Sequence, residues 1–172
     1  MMEYKITPKN QFKALTSLIY GTILFSFIIY FFIQNENYST ELVPFGYICY
    51  FVWLMPALFV HIEYYLINKR DVVVIDLAQK TVSINSLEPA IEKIILVMTP
   101  VLYRNGALTF TPWDSYHYGI IKMKDGGQFV FTSLMAPKVK EAMKQINNTT
   151  IEKKRSFIPS PLLLRGWHYL WD

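Results

Sequence analysis

Residues 15–33 read LTSLIYGTILFSFIIYFFI, an apolar run without a single charged side chain. At about 1.5 Å per residue, a helix of this length crosses roughly the hydrocarbon core of a bilayer. A second run, VPFGYICYFVWLMPALFVH, starts at Val43 and is uncharged until His61 and Glu63. A core helix of a soluble protein keeps a polar face, which both runs lack. The sequence therefore predicts two transmembrane helices, at about residues 15–33 and 43–65.

Basic residues flank the two predicted helices on the same side of the membrane. Lys5, Lys9 and Lys13 precede the first helix, whereas Lys69 and Arg70 follow the second. The short linker between the helices, QNENYSTEL, carries two glutamates and no basic residue. The positive-inside rule then places both termini in the cytoplasm and the chain in an inner or plasma membrane.

Composition limits what the rest of the chain can be. Of the 172 residues, 52% are hydrophobic, and most of the excess apolarity precedes Asn68. The remaining residues suffice for one domain with one core. The only cysteine, Cys49, falls in the second apolar run and is expected to be a small apolar filler. The histidines show no ligand spacing and no glycine-rich phosphate loop is present, so no metal, cofactor or nucleic acid is predicted.

The segment after Asn68 shows strand patterns. Val72–Leu77 and Thr81–Asn85 are β-rich runs separated by a short turn, which predicts a hairpin. An Asp125-Gly126-Gly127 turn predicts a second hairpin. The further predicted strands are Ile91–Met98, Ala107–Thr111, Tyr116–Met123 and Gln128–Ser133.

One amphipathic helix is predicted after these strands. Val139, Ala142, Met143 and Ile146 recur at helical spacing, and Pro137 suits the first turn. The predicted organisation is a helical membrane unit over residues 1–67, a mostly antiparallel β domain capped by one helix over residues 68–148, and a basic, aromatic tail over residues 149–172.

This order of strands and helix resembles the pleckstrin-homology-like fold. The chain is similar to small bacterial membrane proteins, of the type common in Bacteroidetes, in which two transmembrane helices precede such a domain. The resemblance rests on the predicted hairpins, the Ile91–Met98 strand, Tyr103–Asn105, the aromatic cluster Trp113–Tyr118 and Thr132–Leu134. It implies a non-enzymatic scaffold and assigns no ligand or catalytic residue.

Two basic groups and the tail are the candidate contacts with the membrane or a partner. The tail combines a basic run with an apolar, aromatic end, which favours the bilayer interface, its own domain or a partner over free exposure. The predicted contact residues are Lys69, Arg70, Lys153, Lys154, Arg155, Trp167, Tyr169 and Trp171. Further candidates, unless they belong to a solvated face, are the lysines of the domain: Lys122, Lys124, Lys138, Lys140 and Lys144.

Small residues recur on the first predicted helix. Ser17, Gly21, Thr22 and Ser26 allow a second helix to approach closely. That helix is expected to be the second one of the same chain, and the alternative is a seam between copies in a homo-oligomer.

The cluster Trp113, Tyr116, His117 and Tyr118 has two interpretations. Core packing is expected, with an exposed half that contacts a peptide or a headgroup as the alternative. Asp114 stands near His117 and Ser115, but consecutive strand residues point to opposite faces, so no catalytic triad and no enzyme activity are predicted.

Three functions compete on this basis. The first is a non-catalytic, membrane-anchored interaction or scaffold module, including an accessory subunit of an inner-membrane complex. The second is a protein that binds or senses lipid headgroups at the inner leaflet. The third is an oligomeric channel or membrane effector. The partner, the lipid and the oligomeric state stay open.

Overall fold

The structure is a computed structural model that describes residues 1–34, 42–76, 78–79, 81–100, 112–144, 146 and 150–163. In chain order its elements are β1 (Met2–Tyr4), α1 (Pro8–Gln34), α2 (Leu42–Asn68), β2 (Val73–Asp76), β3 (Thr81–Ile84), β4 (Ile91–Met98), β5 (His117–Met123), β6 (Gln128–Thr132), α3 (Val139–Lys144) and β7 (Thr150–Arg155). The predicted fold class, two long apolar helices before mostly antiparallel sheets and a short helix, is confirmed.

The two helices are long and apolar enough to cross a membrane. α1 begins earlier than its apolar run, because the hydroxyl of Thr7 accepts a hydrogen bond from the backbone N–H of Asn10 at 3.2 Å and Pro8 suits the first turn. α2 continues through Pro56 to Asn68, beyond its apolar run. Both helices therefore extend from the apolar segments into the β domain.

The first sheet contains a strand that the sequence did not predict. Its order is β1-β2-β3, and β1 pairs antiparallel with β2 so that Met2 lies opposite Ile75 and Tyr4 opposite Val73. β1 precedes α1 and β2 follows α2. The helical hairpin is thus inserted between two neighbouring strands, and the first residues of the chain belong to the sheet.

The second sheet has the order β6-β5-β4-β7. β5 and β6 form the predicted hairpin, with Gly126 at a φ of 87° and the Asp125 carboxylate accepting from the N–H of Gly127 at 2.9 Å. β7 runs parallel to β4, from Thr150 opposite Lys93 to Arg155 opposite Met98. This strand was not predicted, and it lies in the segment assigned to the tail.

The strand β4 explains how the layers are arranged. Ile94 and Leu96 are buried against the first sheet and α3, whereas Ile95 and Val97 are buried against α2. A strand covered on both faces is continuously apolar, as the run IILVM shows. The second sheet therefore forms the middle layer, with α2 as one outer layer. The predicted strand Ala107–Thr111 lies outside the described residues.

Candidate interface between helix, domain and membrane

The last turns of α2 are part of the domain core. Ala57, Val60 and Tyr64 are fully buried against the second sheet, and Ile67 packs at the edge of the same cluster. At its end, the side-chain amide of Asn68 donates to the carbonyl of Val130 in β6 at 2.8 Å. The helix therefore enters the domain as a structural element, which leaves no flexible linker between the apolar helix and the sheet.

The aromatic cluster forms most of this helix–sheet contact. The rings of Tyr116 and Tyr118 meet that of Tyr64 edge to face, with centroids 5.6 and 6.0 Å apart. Burial raises the pKa of Tyr116 far above its ordinary value, and its hydroxyl bonds to Nδ1 of His61 at 2.8 Å. With Trp113 also buried, core packing is confirmed for the cluster, and the alternative of an exposed ligand-binding half is wrong.

Part of the predicted tail folds against this same contact. The Tyr64 hydroxyl donates to the carbonyl of Pro159 at 2.6 Å, and the indole N–H of Trp113 donates to the carbonyl of Phe157 at 3.1 Å. The carboxylate of Glu63 accepts from the backbone N–H of Leu162 at 2.6 Å. Glu63 is thus buried, in contact with the chain's own tail. The predicted contact residues Trp167, Tyr169 and Trp171 lie outside the described residues.

The two predicted basic groups, Lys69–Arg70 and Lys153–Arg155, lie far from each other. Lys69 and Arg70 are exposed directly after α2, whose end is bonded to β6. Lys153, Lys154 and Arg155 are exposed on β7, at the opposite edge of the sheet. Three strand spacings separate those edges, about 14 Å. The structure therefore does not bring the two groups together into one basic patch.

The small residues of α1 pack within the chain. A Cβ at Gly21 would stand 2.6 Å from the ring of Trp53 in α2, and the hydroxyl of Thr22 bonds to that of Tyr50. Ser17 is half-buried, whereas Ser26 is exposed. Gly21 and Thr22 therefore contact α2 of the same chain, and packing of the whole stripe against α2 stays a prediction.

The polar residues of the aromatic segment form hydrogen bonds that stabilise local structure. Nδ1 of His117 lies 3.1 Å from the backbone carbonyl of Ser115, and burial lowers the pKa of this imidazole. The backbone carbonyl of Asp114 accepts from the hydroxyl of Thr99 at 3.3 Å. Across the described part of the chain, no three His, Cys, Asp or Glu side chains are grouped so as to hold a metal ion.

One feature of the domain was missed by the sequence reasoning. A groove of about 590 Å³ opens where the β1–α1 junction meets the segment leading into α3, and three lysines line it: Lys5, Lys13 and Lys138. From the sequence, Lys5 and Lys13 were interpreted only as positive charges that orient the two helices in the membrane. Their approach to Lys138 depends on the pairing of β1 with β2, and no local pattern in the sequence indicated that pairing.

The comparisons with known proteins agree with this architecture. A family described as a PH domain matches residues 3–144, most of the chain, including both apolar helices and the last two residues of β1. The chain therefore belongs to this PH-domain family. No curated protein and no solved structure matches it.

Proposed function

We propose that the protein is a non-catalytic, membrane-anchored interaction module that holds its PH domain in a fixed orientation at the membrane surface. The observation that carries the proposal is the burial of Ala57, Val60 and Tyr64 of α2 in the domain core. A domain on a flexible tether samples all orientations, whereas a domain built around the helix presents constant faces to a partner. PH domains commonly bind lipids or proteins, and membership of this family supports the proposal.

The edge strand β7 is the favoured partner surface. Its outer edge pairs with no described strand, and Lys153, Lys154 and Arg155 are exposed along it. An extended acidic segment of a partner protein would pair with such an edge through main-chain hydrogen bonds and opposite charge. The competing interpretation is that the lysines only protect the edge from aggregation.

Cross-linking followed by purification from native membranes tests this function. The full-length chain is expected to recover a defined partner, and Lys153→Glu with Lys154→Glu should abolish that recovery. Lys124→Glu with Lys144→Glu is the matched control, because both lysines are exposed and neither belongs to β7, so this variant should leave recovery unchanged. Recovery of this chain alone, or equal loss in both double variants, would contradict the proposal.

A further inference from the structure

β1 is an edge strand of the first sheet, and no described strand pairs with its outer side. The groove of about 590 Å³ lies along this side, since Glu3, Tyr4 and Lys5 all line it. Successive residues of a strand point to opposite faces, so a groove lined by three in a row follows the edge of the strand. The outer side of an edge strand is a template on which a further strand can pair.

The groove carries both signs of charge. Its lysines stand beside two carboxylates, those of Glu3 and Glu141. Such a lining disfavours a simple anion and fits a chain segment that itself carries both an acidic and a basic side chain. Glu3 and Lys5 pair with each other at 2.8 Å, and both side chains are exposed. An exposed pair of this kind contributes little stability, so either side chain can exchange its partner.

The sequence of β1 is complementary in charge to itself. Residues 2–6 read MEYKI, in which Glu3 and Lys5 flank Tyr4 symmetrically. When two copies of this segment pair antiparallel about Tyr4, Glu3 of each copy lies opposite Lys5 of the other. Opposite charges directly across a strand pair stabilise it, and like charges destabilise it. Parallel pairing in register would place like charges side by side, so the charges favour the antiparallel arrangement.

This arrangement also satisfies the symmetry of a closed dimer. Both copies use the same edge, which is the isologous contact of a two-fold dimer, and the pairing uses up the outer edge of β1 in each copy. Residues 5–7 alone separate β1 from α1. With α1 of both copies crossing one bilayer in the same direction, the two β1 strands lie at the same height. Confinement to one membrane raises their effective concentration, which compensates for the small number of paired residues.

We propose that two copies of the chain dimerise through antiparallel pairing of their β1 edges, centred on Tyr4, with Glu3 of each copy opposite Lys5 of the other. The first sheets of the two copies then form one six-stranded sheet. This dimer uses no residue of β7, so it and the proposed partner surface can each fail without the other.

Charge reversal in two differently tagged full-length chains tests the pairing. The chains are co-expressed and extracted in a mild detergent, and the amount of the second tag that co-purifies with the first is measured. Glu3→Lys in both copies places like charges opposite each other at two positions, and so does Lys5→Glu in both copies. Each should lower co-purification about fivefold or more. Glu3→Lys in one copy with Lys5→Glu in the other puts opposite charges across both positions again and should restore it.

Recovery in the mixed pair separates charge pairing from damage to β1, because each chain still carries its substitution. Glu88→Lys and Lys9→Glu are the matched controls, since both reverse a charge on an exposed residue outside β1 and outside the groove, and both should leave co-purification unchanged. Failure of the mixed pair to recover would overturn the proposal. If Glu3 and Lys5 only protect the edge from pairing, the wild-type copies do not co-purify, which would overturn it as well.

Disulfide trapping in native membranes tests the register. In a Cys49→Ser background, Glu3→Cys in one copy and Lys5→Cys in the other place two Cβ atoms about 4.5–5.5 Å apart, close to disulfide range, and oxidation should link the two tags. Glu3→Cys in both copies places them on a diagonal, about 7–8 Å apart, and should link them poorly. Equal linkage in both combinations, or none in the mixed one, would overturn the register. A dimer that is lost in Ser26→Leu and kept in Glu3→Lys would place the contact along α1 instead of β1.

Discussion

Single residues show how the polar side chains of the aromatic segment serve the fold. His117 is buried at the start of β5, and its imidazole faces the carbonyl of Ser115. Because burial lowers its pKa, the ring is neutral near pH 7 and its Nδ1–H donates to that carbonyl. His117, which lies near an aspartate and a serine in the sequence, thus stabilises a local turn.

This burial predicts a pH dependence of stability. Below the ordinary histidine pKa of about 6.5, the unfolded chain binds a proton at His117 that the folded chain does not, so acidification lowers the free energy of unfolding. His117→Gln keeps a donor and should show a smaller loss of melting temperature between pH 7.5 and pH 5.5. Thermal unfolding in detergent measures this, and a pH dependence identical to that of the wild type would contradict it.

Among the helices and strands, some elements were predicted from the sequence and others were not. Both apolar helices, the β2–β3 and β5–β6 hairpins and β4 were predicted, because each carries its own pattern or turn. β1 and β7 were missed, since each is mostly exposed and is stabilised by pairing with a strand that is distant in sequence. The groove was missed for the same reason, because it depends on β1.

The packing of α1 on α2 gives a prediction at this scale. Gly21→Leu forces a side chain into the ring of Trp53, and overpacking of this kind destabilises by about 1–3 kcal/mol. Ser26→Leu changes another small residue of the same helix at an exposed position and should be nearly neutral.

Thermal melting of both variants in detergent measures the difference. Cross-linking of the same samples reports on oligomers. A stable Gly21→Leu variant beside a Ser26→Leu variant that loses a cross-linked dimer would indicate a seam between copies, which is the alternative to packing within the chain.

The whole molecule is organised by the insertion of the helical hairpin into the first sheet. The pairing of Met2–Tyr4 with Val73–Ile75 requires both ends of the hairpin to lie on one side of the membrane. The basic residues of the flanks predict that this side is the cytoplasm. The structure thus supports the same-side relation, and the choice of side remains a prediction from charge.

Labelling of introduced cysteines tests that choice. In a Cys49→Ser background, Glu3→Cys and Lys69→Cys should react with a membrane-impermeant maleimide only after the cytoplasmic side is opened. Asn37→Cys, in the linker between the helices, should react from the outside without permeabilisation. Labelling of Glu3→Cys and Lys69→Cys from outside would reverse the predicted orientation, and labelling from opposite sides would contradict the β1–β2 pairing.

The pairing of β1 with β2 has a consequence for the order of synthesis. β1 leaves the ribosome first, yet its partner emerges only after both apolar helices have been made. Closing so long a loop in a free chain has a large entropic penalty, which a preformed helical hairpin reduces because it already holds the two ends together. Membrane insertion would then be a folding step for the first sheet, and a chain that failed to insert would expose an unpaired strand to aggregation.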